Sequence, residues 1–206
     1  MIEQLTQDII SLIRTLPPAS VYLVFFGIAY GENIIPPIPG DLLVAFSGYL
    51  AAESIIGIVP IWIITTIASV IGFMSMYWIG SRWGTTIKQE GKGVRVLRFI
   101  PVEYLNKVQS WMQKWGLGVV LANRFLPGTR SVISLAAGLG HTQINYTILF
   151  STISSLLWNA ILLGFGWVVH ENWRMIGDYL SVYGRIILAA TVLYIAIKVG
   201  IYYYRK

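Results

Sequence analysis

Two stretches of this chain, 55–80 and 144–169, run without a single Asp, Glu, Lys or Arg. A membrane crossing needs about 20 apolar residues, so each is long enough to span alone. A third apolar stretch, 179–197, is interrupted only by Arg185, which can snorkel toward the nearer interface. Four shorter apolar pieces, 20–31, 42–52, 117–123 and 131–140, fall well short of a crossing. Pieces of that length read as re-entrant limbs. They pair across two Pro-Gly breaks, 20–31 with 42–52 around Pro39-Gly40, and 117–123 with 131–140 around Pro127-Gly128.

An amphipathic stripe precedes each pair. Tyr104, Leu105, Val108, Trp111, Met112 and Trp115 recur at helical spacing, opposite Glu103, Asn106, Lys107, Gln109, Gln113 and Lys114, with Pro101 in the first turn. That pattern suits a helix lying in the interface plane. Ile2, Leu5, Ile9, Leu12, Ile13 and Leu16 form a similar stripe, ended by Pro17-Pro18. Periodicity alone also fits a core-packed helix in both places.

The order repeats: amphipathic helix, broken hairpin, long span. The expected fold is an all-α integral membrane protein of two inverted repeats plus a C-terminal transmembrane helix. One polytopic domain, 1–206, comprises repeat one (1–81), a cytoplasmic basic loop and amphipathic helix (82–115), the hairpin and span of repeat two (116–169), and a transmembrane helix over 179–203.

Composition agrees. The chain is 56% apolar and 12% charged, with a mean hydropathy of +0.67. A soluble domain carries about twice that share of charge. Cysteine is absent, which excludes disulfides and thiolate chemistry. His141 and His170 are too few and too scattered for a metal cage, and no cofactor is expected. Residues 1–18 hold Glu3, Asp8 and Arg14 without a continuous apolar core, so a cleaved signal peptide is not expected.

The net charge of +6 is concentrated between Arg82 and Lys114, where Lys88, Lys92, Arg95, Arg98 and Lys107 also lie, against Glu90 and Glu103. Short basic loops stay on the cytoplasmic side. With no basic module outside the membrane, nucleic acid is not an expected partner. The cytoplasmic assignment makes 117–140 enter from the cytoplasm, 144–169 lead outward and 179–203 return, leaving Arg205 and Lys206 inside. The span 55–80 then runs inward, and the hairpin 32–52 opens to the outside. Hairpins entering from opposite faces follow the plan of secondary transporters, whose broken helices meet at the midplane. The N-terminus is inside if 20–31 crosses, and outside if it is only the first limb.

The candidate chemistry sits at the breaks. Glu32 and Asp41 flank the first, and Arg124 and Arg130 the second. Charge inside a bilayer is costly and marks a functional site by default. A stopped helix there is tolerated only where protein or water covers it. Glu32-Asn33, Pro39-Gly40-Asp41 and Gly48, with Arg124-Phe125-x-Pro-Gly-x-Arg130 and Gly138, resemble the DedA family of bacterial membrane proteins, also called SNARE-associated or VTT-domain proteins. The resemblance covers roughly 20–170. It implies lipid transport: return of undecaprenyl phosphate to the cytoplasmic face, movement of phospholipids, or scrambling in eukaryotic relatives. It places the family's important acids and arginines on Glu32, Asp41, Arg124 and Arg130.

The residue types fit that chemistry. An anionic headgroup crossing ~30 Å of hydrocarbon needs a compensating cation. Arginine's planar fork grips phosphate bidentately and stays charged. Arg124 and Arg130 are therefore the expected headgroup ligands, with backbone N–H groups from Ser131 onward adding a helix N-terminus. Carboxylates in apolar surroundings are candidate proton carriers, so Glu32 and Asp41 are expected to couple transport to protons or to pair alternately with the arginines. A purely structural role, as ion pairs joining the hairpin tips, is the competing reading. A proton-coupled transporter of a small soluble solute is the alternative function. An enzyme is not expected, because no Ser-His or His-Asp pair surrounds the arginines. Ala68, Gly72, Gly80 and Gly84 have the spacing for close helix approach, with a homodimer as a further option. Asn159 and Ser155, one turn apart, are expected to hydrogen-bond between helices.

Overall fold

Proline placement explains where the helices stop. The first, α1 (Pro18–Ile34), begins with proline in its first turn and ends at Ile35, which is extended (φ −111°, ψ 102°) ahead of Pro36. The next, α2 (Gly40–Ala52), starts directly after Pro39. Then come α3 (Ile58–Glu90), α4 (Val102–Trp115) and the short α5 (Gly118–Ala122). A 3₁₀ turn, Asn123–Phe125, leads to Leu126, also extended (φ −106°, ψ 98°) ahead of Pro127. Two helices follow, α6 (Arg130–Leu139) and α7 (Ile144–Val169). The two breaks thus share one local mechanism.

The structure, a computed structural model, describes residues 11, 13, 15–35, 39–90, 102–126 and 129–169, with the backbone alone for 83–90 and 102–104. Every element within these residues is helical. Most of the 2–16 stripe, positions 36–38, the loop 91–101, the breaker residues Pro127 and Gly128, and the expected helix 179–203 lie outside the described residues. Residues 16–168 form one unit around a shared core.

One boundary differs from expectation. The helix α3 does not stop near residue 81 but continues to Glu90, so the start of the basic segment is helical. Charge ends a membrane span without ending a helix, because Lys, Gln and Glu are good helix formers. The apolar part closes at Arg82.

The core lies between α3, α4, α5 and α6, where Phe73, Met76, Leu105, Val108, Val120 and Ile133 are buried. All residues of α6 from Arg130 to Gly138 are buried. The helices α1 and α2 run antiparallel: Tyr22 accepts a hydrogen bond from the Gly57 N–H at 3.0 Å beyond the end of α2, while Glu32 lies against Gly40 at its start.

The two long helices are apolar outside and polar inside. Val59, Ile63, Ile67 and Ile71 on α3, and Leu149, Ile153, Leu157 and Ile161 on α7, are exposed. Thr65, Thr66 and Ser69 face inward with Thr147, Ser151, Ser155 and Asn159. The Asn159 amide donates to the Thr66 and Thr65 hydroxyls at 3.3 and 3.4 Å, and the Trp62 indole donates to the Leu156 carbonyl at 3.0 Å. Only 39% and 28% of the most apolar windows of α3 and α7 are buried, unlike the core helices of a soluble protein. Apolar faces of this extent suit hydrocarbon rather than water.

Glycines draw the short helices onto the long ones in two matching crossings. Gly48 of α2 meets the Leu163 backbone of α7, and Gly166 of α7 meets the Ala45 carbonyl of α2. Likewise Gly138 of α6 meets the Tyr77 carbonyl of α3, and Gly80 of α3 meets the Leu135 carbonyl of α6. In each crossing two positions three apart on one helix face two positions three apart on the other. A Cβ at any of the four glycines would run into backbone, so close approach requires the bare Cα.

Candidate functional site

All four charged residues occupy helix ends beside the breaks. Glu32 is near the end of α1, Asp41 is the second residue of α2, Arg124 is inside the 3₁₀ turn, and Arg130 opens α6. The structure brings three of them together. Arg130 donates through Nη1 to Glu32 Oε1 and through Nη2 to Asp41 Oδ2. Its Nη2 also reaches the Arg124 carbonyl at 3.3 Å. The planar fork is therefore divided between two acids on two different helices.

Arg124 stands apart. It is only 3% exposed, its Nη2 has no hydrogen-bond partner, and among the described residues no carboxylate lies within ion-pairing distance of it. Two acids and two arginines sum to zero charge, yet both acids lie on Arg130. The result is a triad of net charge −1 beside a buried guanidinium that balances it without an ion pair of its own among the described residues. Glu32 Oε2, Arg130 Nε and Asn123 Oδ1 are also buried without partners. Among the described residues, no group of His, Asp and Glu side chains could hold a metal ion.

The acids differ in access. The Glu32 side chain is 7% exposed and is wedged against Gly40, where a Cβ would overlap its carboxyl carbon at 2.6 Å. The Asp41 side chain is 37% exposed and marks the mouth of the site. Pro39 precedes α2 on the exposed side of the break, and Gly40 is buried.

Sequence reasoning missed three contributors. The Ser131 hydroxyl donates to the Asn33 carbonyl at 2.8 Å, tying α6 to α1. The Trp158 indole N–H donates to Asp41 Oδ1 at 2.7 Å, and the ring lies 5.9 Å from the Arg130 guanidinium carbon. Phe125 meets Trp158 edge-on, with ring centroids 5.2 Å apart. Trp158 left a signal in the sequence. Membrane tryptophans gather at the two interfaces, whereas this one lies near the middle of α7.

The family model of the VTT domain matches residues 38–168, which include Asp41, Arg124, Arg130 and Trp158. The chain belongs to the VTT-domain, or DedA, family. Among its relatives, the "Alkaline phosphatase-like protein" of Lactococcus lactis strain MG1363 is 32% identical, covering 80% of this chain and 79% of the relative. "Undecaprenyl phosphate transporter A" of Staphylococcus aureus is 28% identical over 86% and 89%. "Inner membrane protein YghB" of Escherichia coli K12 is 30% identical over 72% and 68%. No solved structure is a significant match. Glu32 precedes the matched segment and joins this VTT-domain site through its contact with Arg130.

Proposed function

We propose that this VTT-domain protein carries an anionic lipid headgroup, that of undecaprenyl phosphate or a phospholipid, across the bacterial cytoplasmic membrane as a multi-pass transporter. The observation that carries the reading is Arg124, a buried cation with an open Nη2 beside a triad in which both acids are bonded to Arg130. An unpaired buried charge is retained at a cost of several kcal/mol. A phosphate would offset that cost on arrival. The relatives named as undecaprenyl phosphate transporters support the same cargo class.

In this reading the breaks are re-entrant limbs of two inverted repeats, and the matching glycine crossings support that symmetry. The headgroup enters at the Asp41 mouth and docks on Arg124. It then competes with Asp41 and Glu32 for Arg130. Each carboxylate that loses its arginine takes up a proton, so occupancy of the site is coupled to the proton gradient. The lipid tail stays in the bilayer along the apolar outer faces of α3 and α7. A phosphatase would instead need a nucleophile with a base held against it. Here both nearby carboxylates are taken up by hydrogen bonds from Arg130.

The test is lipid exchange in proteoliposomes containing undecaprenyl phosphate or a labelled anionic phospholipid, with and without an imposed pH gradient. We expect exchange above protein-free liposomes, acceleration by the gradient, and loss of both in Arg124→Gln. Exchange no faster than in protein-free liposomes rejects the reading. Gradient-independent exchange rejects the proton coupling alone.

A further inference from the structure

We propose that Trp158 is a positioning residue that sets how strongly Asp41 competes with a phosphate headgroup for Arg130. The inference rests on the transport reading above and adds a part to it.

The two acids are held differently. Glu32 is buried and confined by Gly40, so it stays near Arg130 without help. Asp41 lies at the mouth with a 37% exposed side chain and is free to swing outward unless something holds it. Trp158 supplies that hold. Its N–H takes Oδ1 at 2.7 Å, which leaves Oδ2 facing the Arg130 Nη2. One carboxylate oxygen is thus anchored to α7 while the other neutralises α6.

The same ring has two further contacts. It lies within cation–π range of Arg130, at 5.9 Å, so the guanidinium keeps a neighbour when a carboxylate lets go. It also receives Phe125, the residue after Arg124, edge-on. Trp158 therefore touches α2, α6 and the 3₁₀ turn from a helix that carries no charge of its own among its described residues. The charged groups around Asp41 are Arg130, Arg124 and Glu32, and Trp158 is the neutral donor that decides which way its carboxylate faces.

Competition for Arg130 has a kinetic signature. A firmly held Asp41 weakens phosphate binding but reclaims Arg130 and speeds release. Trp158→Phe keeps an aromatic ring and removes the N–H. In nanodiscs we expect it to bind undecaprenyl phosphate about tenfold more tightly, equivalent to ~1.4 kcal/mol. Exchange by that variant in proteoliposomes should show KM and kcat falling together. In an Asp41→Asn background the substitution should add little, because the competitor is already weakened. A second readout uses the tryptophan itself. The ¹⁵N indole resonance of Trp158, assigned by its loss in Trp158→Phe or Trp158→Tyr, should move in Asp41→Asn and on adding undecaprenyl phosphate.

A KM that rises or stays constant in Trp158→Phe overturns the proposal, as does an indole resonance indifferent to Asp41→Asn. In both cases wild-type transport leaves the broader reading standing. Wild-type protein that neither binds nor moves undecaprenyl phosphate takes down the transport reading and this inference together.

Discussion

Removing Arg130 should destabilise the protein almost entirely through Glu32. In Arg130→Gln both carboxylates lose their cation, but they start from different surroundings. The Glu32 side chain is 7% exposed, and its Oε2 already lacks a partner. Stripping the partner from a buried pair costs about 3–5 kcal/mol. The Asp41 side chain is 37% exposed and keeps its hydrogen bond from Trp158, so solvent screening limits its share to about 0–1 kcal/mol. In a chain of this size, 1 kcal/mol shifts the melting temperature by about 2–4 °C, so Arg130→Gln should melt about 6–20 °C lower. Thermal unfolding in detergent, followed by tryptophan fluorescence, measures this. Adding Glu32→Gln should restore most of the loss, whereas adding Asp41→Asn should restore little. The reasoning fails if Arg130→Gln melts within about 2 °C of wild type. It also fails if the two rescues are equal.

Arg124 predicts a different trade. Arg124→Leu removes a buried cation that has no ion pair among the described residues but leaves the extra negative charge of the triad unbalanced, so the melting temperature should fall by less than in Arg130→Gln while lipid exchange is abolished; a fall as large as that of Arg130→Gln would refute this partition of charge. Arg130→Lys replaces a fork by a point charge that cannot serve Glu32 and Asp41 together, so exchange should fall at least tenfold with the fold retained; normal exchange would reject bidentate capture. Gly40→Ala puts a methyl where the Glu32 carboxyl lies, so it should impair exchange, with a partial rescue by Glu32→Asp, whose shorter side chain withdraws from the clash. Gly138→Val forces a side chain against the Tyr77 carbonyl carbon, 2.7 Å from the Cβ position, and should cost at least about 1–3 kcal/mol in thermal unfolding.

Much of this organisation can be read from residue order. Pro36 and Pro127 force extended backbone on Ile35 and Leu126, so both breaks follow from local chemistry. The span Ile144–Val169 ends where its apolar run ends. The α3 boundary was less legible, because charge marks the edge of a membrane but lets a helix continue, and α3 reaches Glu90. The four charged residues stand out against apolar sequence, but their partition does not. That both acids choose Arg130 depends on the approach of α1, α2 and α6, which residue order does not encode in a readable form. Trp158 lies more than a hundred positions from Asp41, so its hydrogen bond emerges only once α7 crosses α2.

The glycine crossings also set a timetable for biosynthesis. Gly48 is covered by Leu163, so the second limb of the first hairpin is covered by a helix made more than a hundred residues later. Translation proceeds at about 5–20 residues per second, so α2 waits roughly 6–24 s for the ~120 residues that follow it. By contrast α6 emerges after α3 and finds its glycine partner already inserted. A nascent chain arrested before α7 therefore presents the Gly48 face of α2 uncovered, with Asp41 lacking both Trp158 and Arg130 if the arrest also precedes α6. Membrane quality-control proteases and insertion chaperones meet the first half in that state, and the vulnerable interval lengthens with every pause in synthesis between the halves.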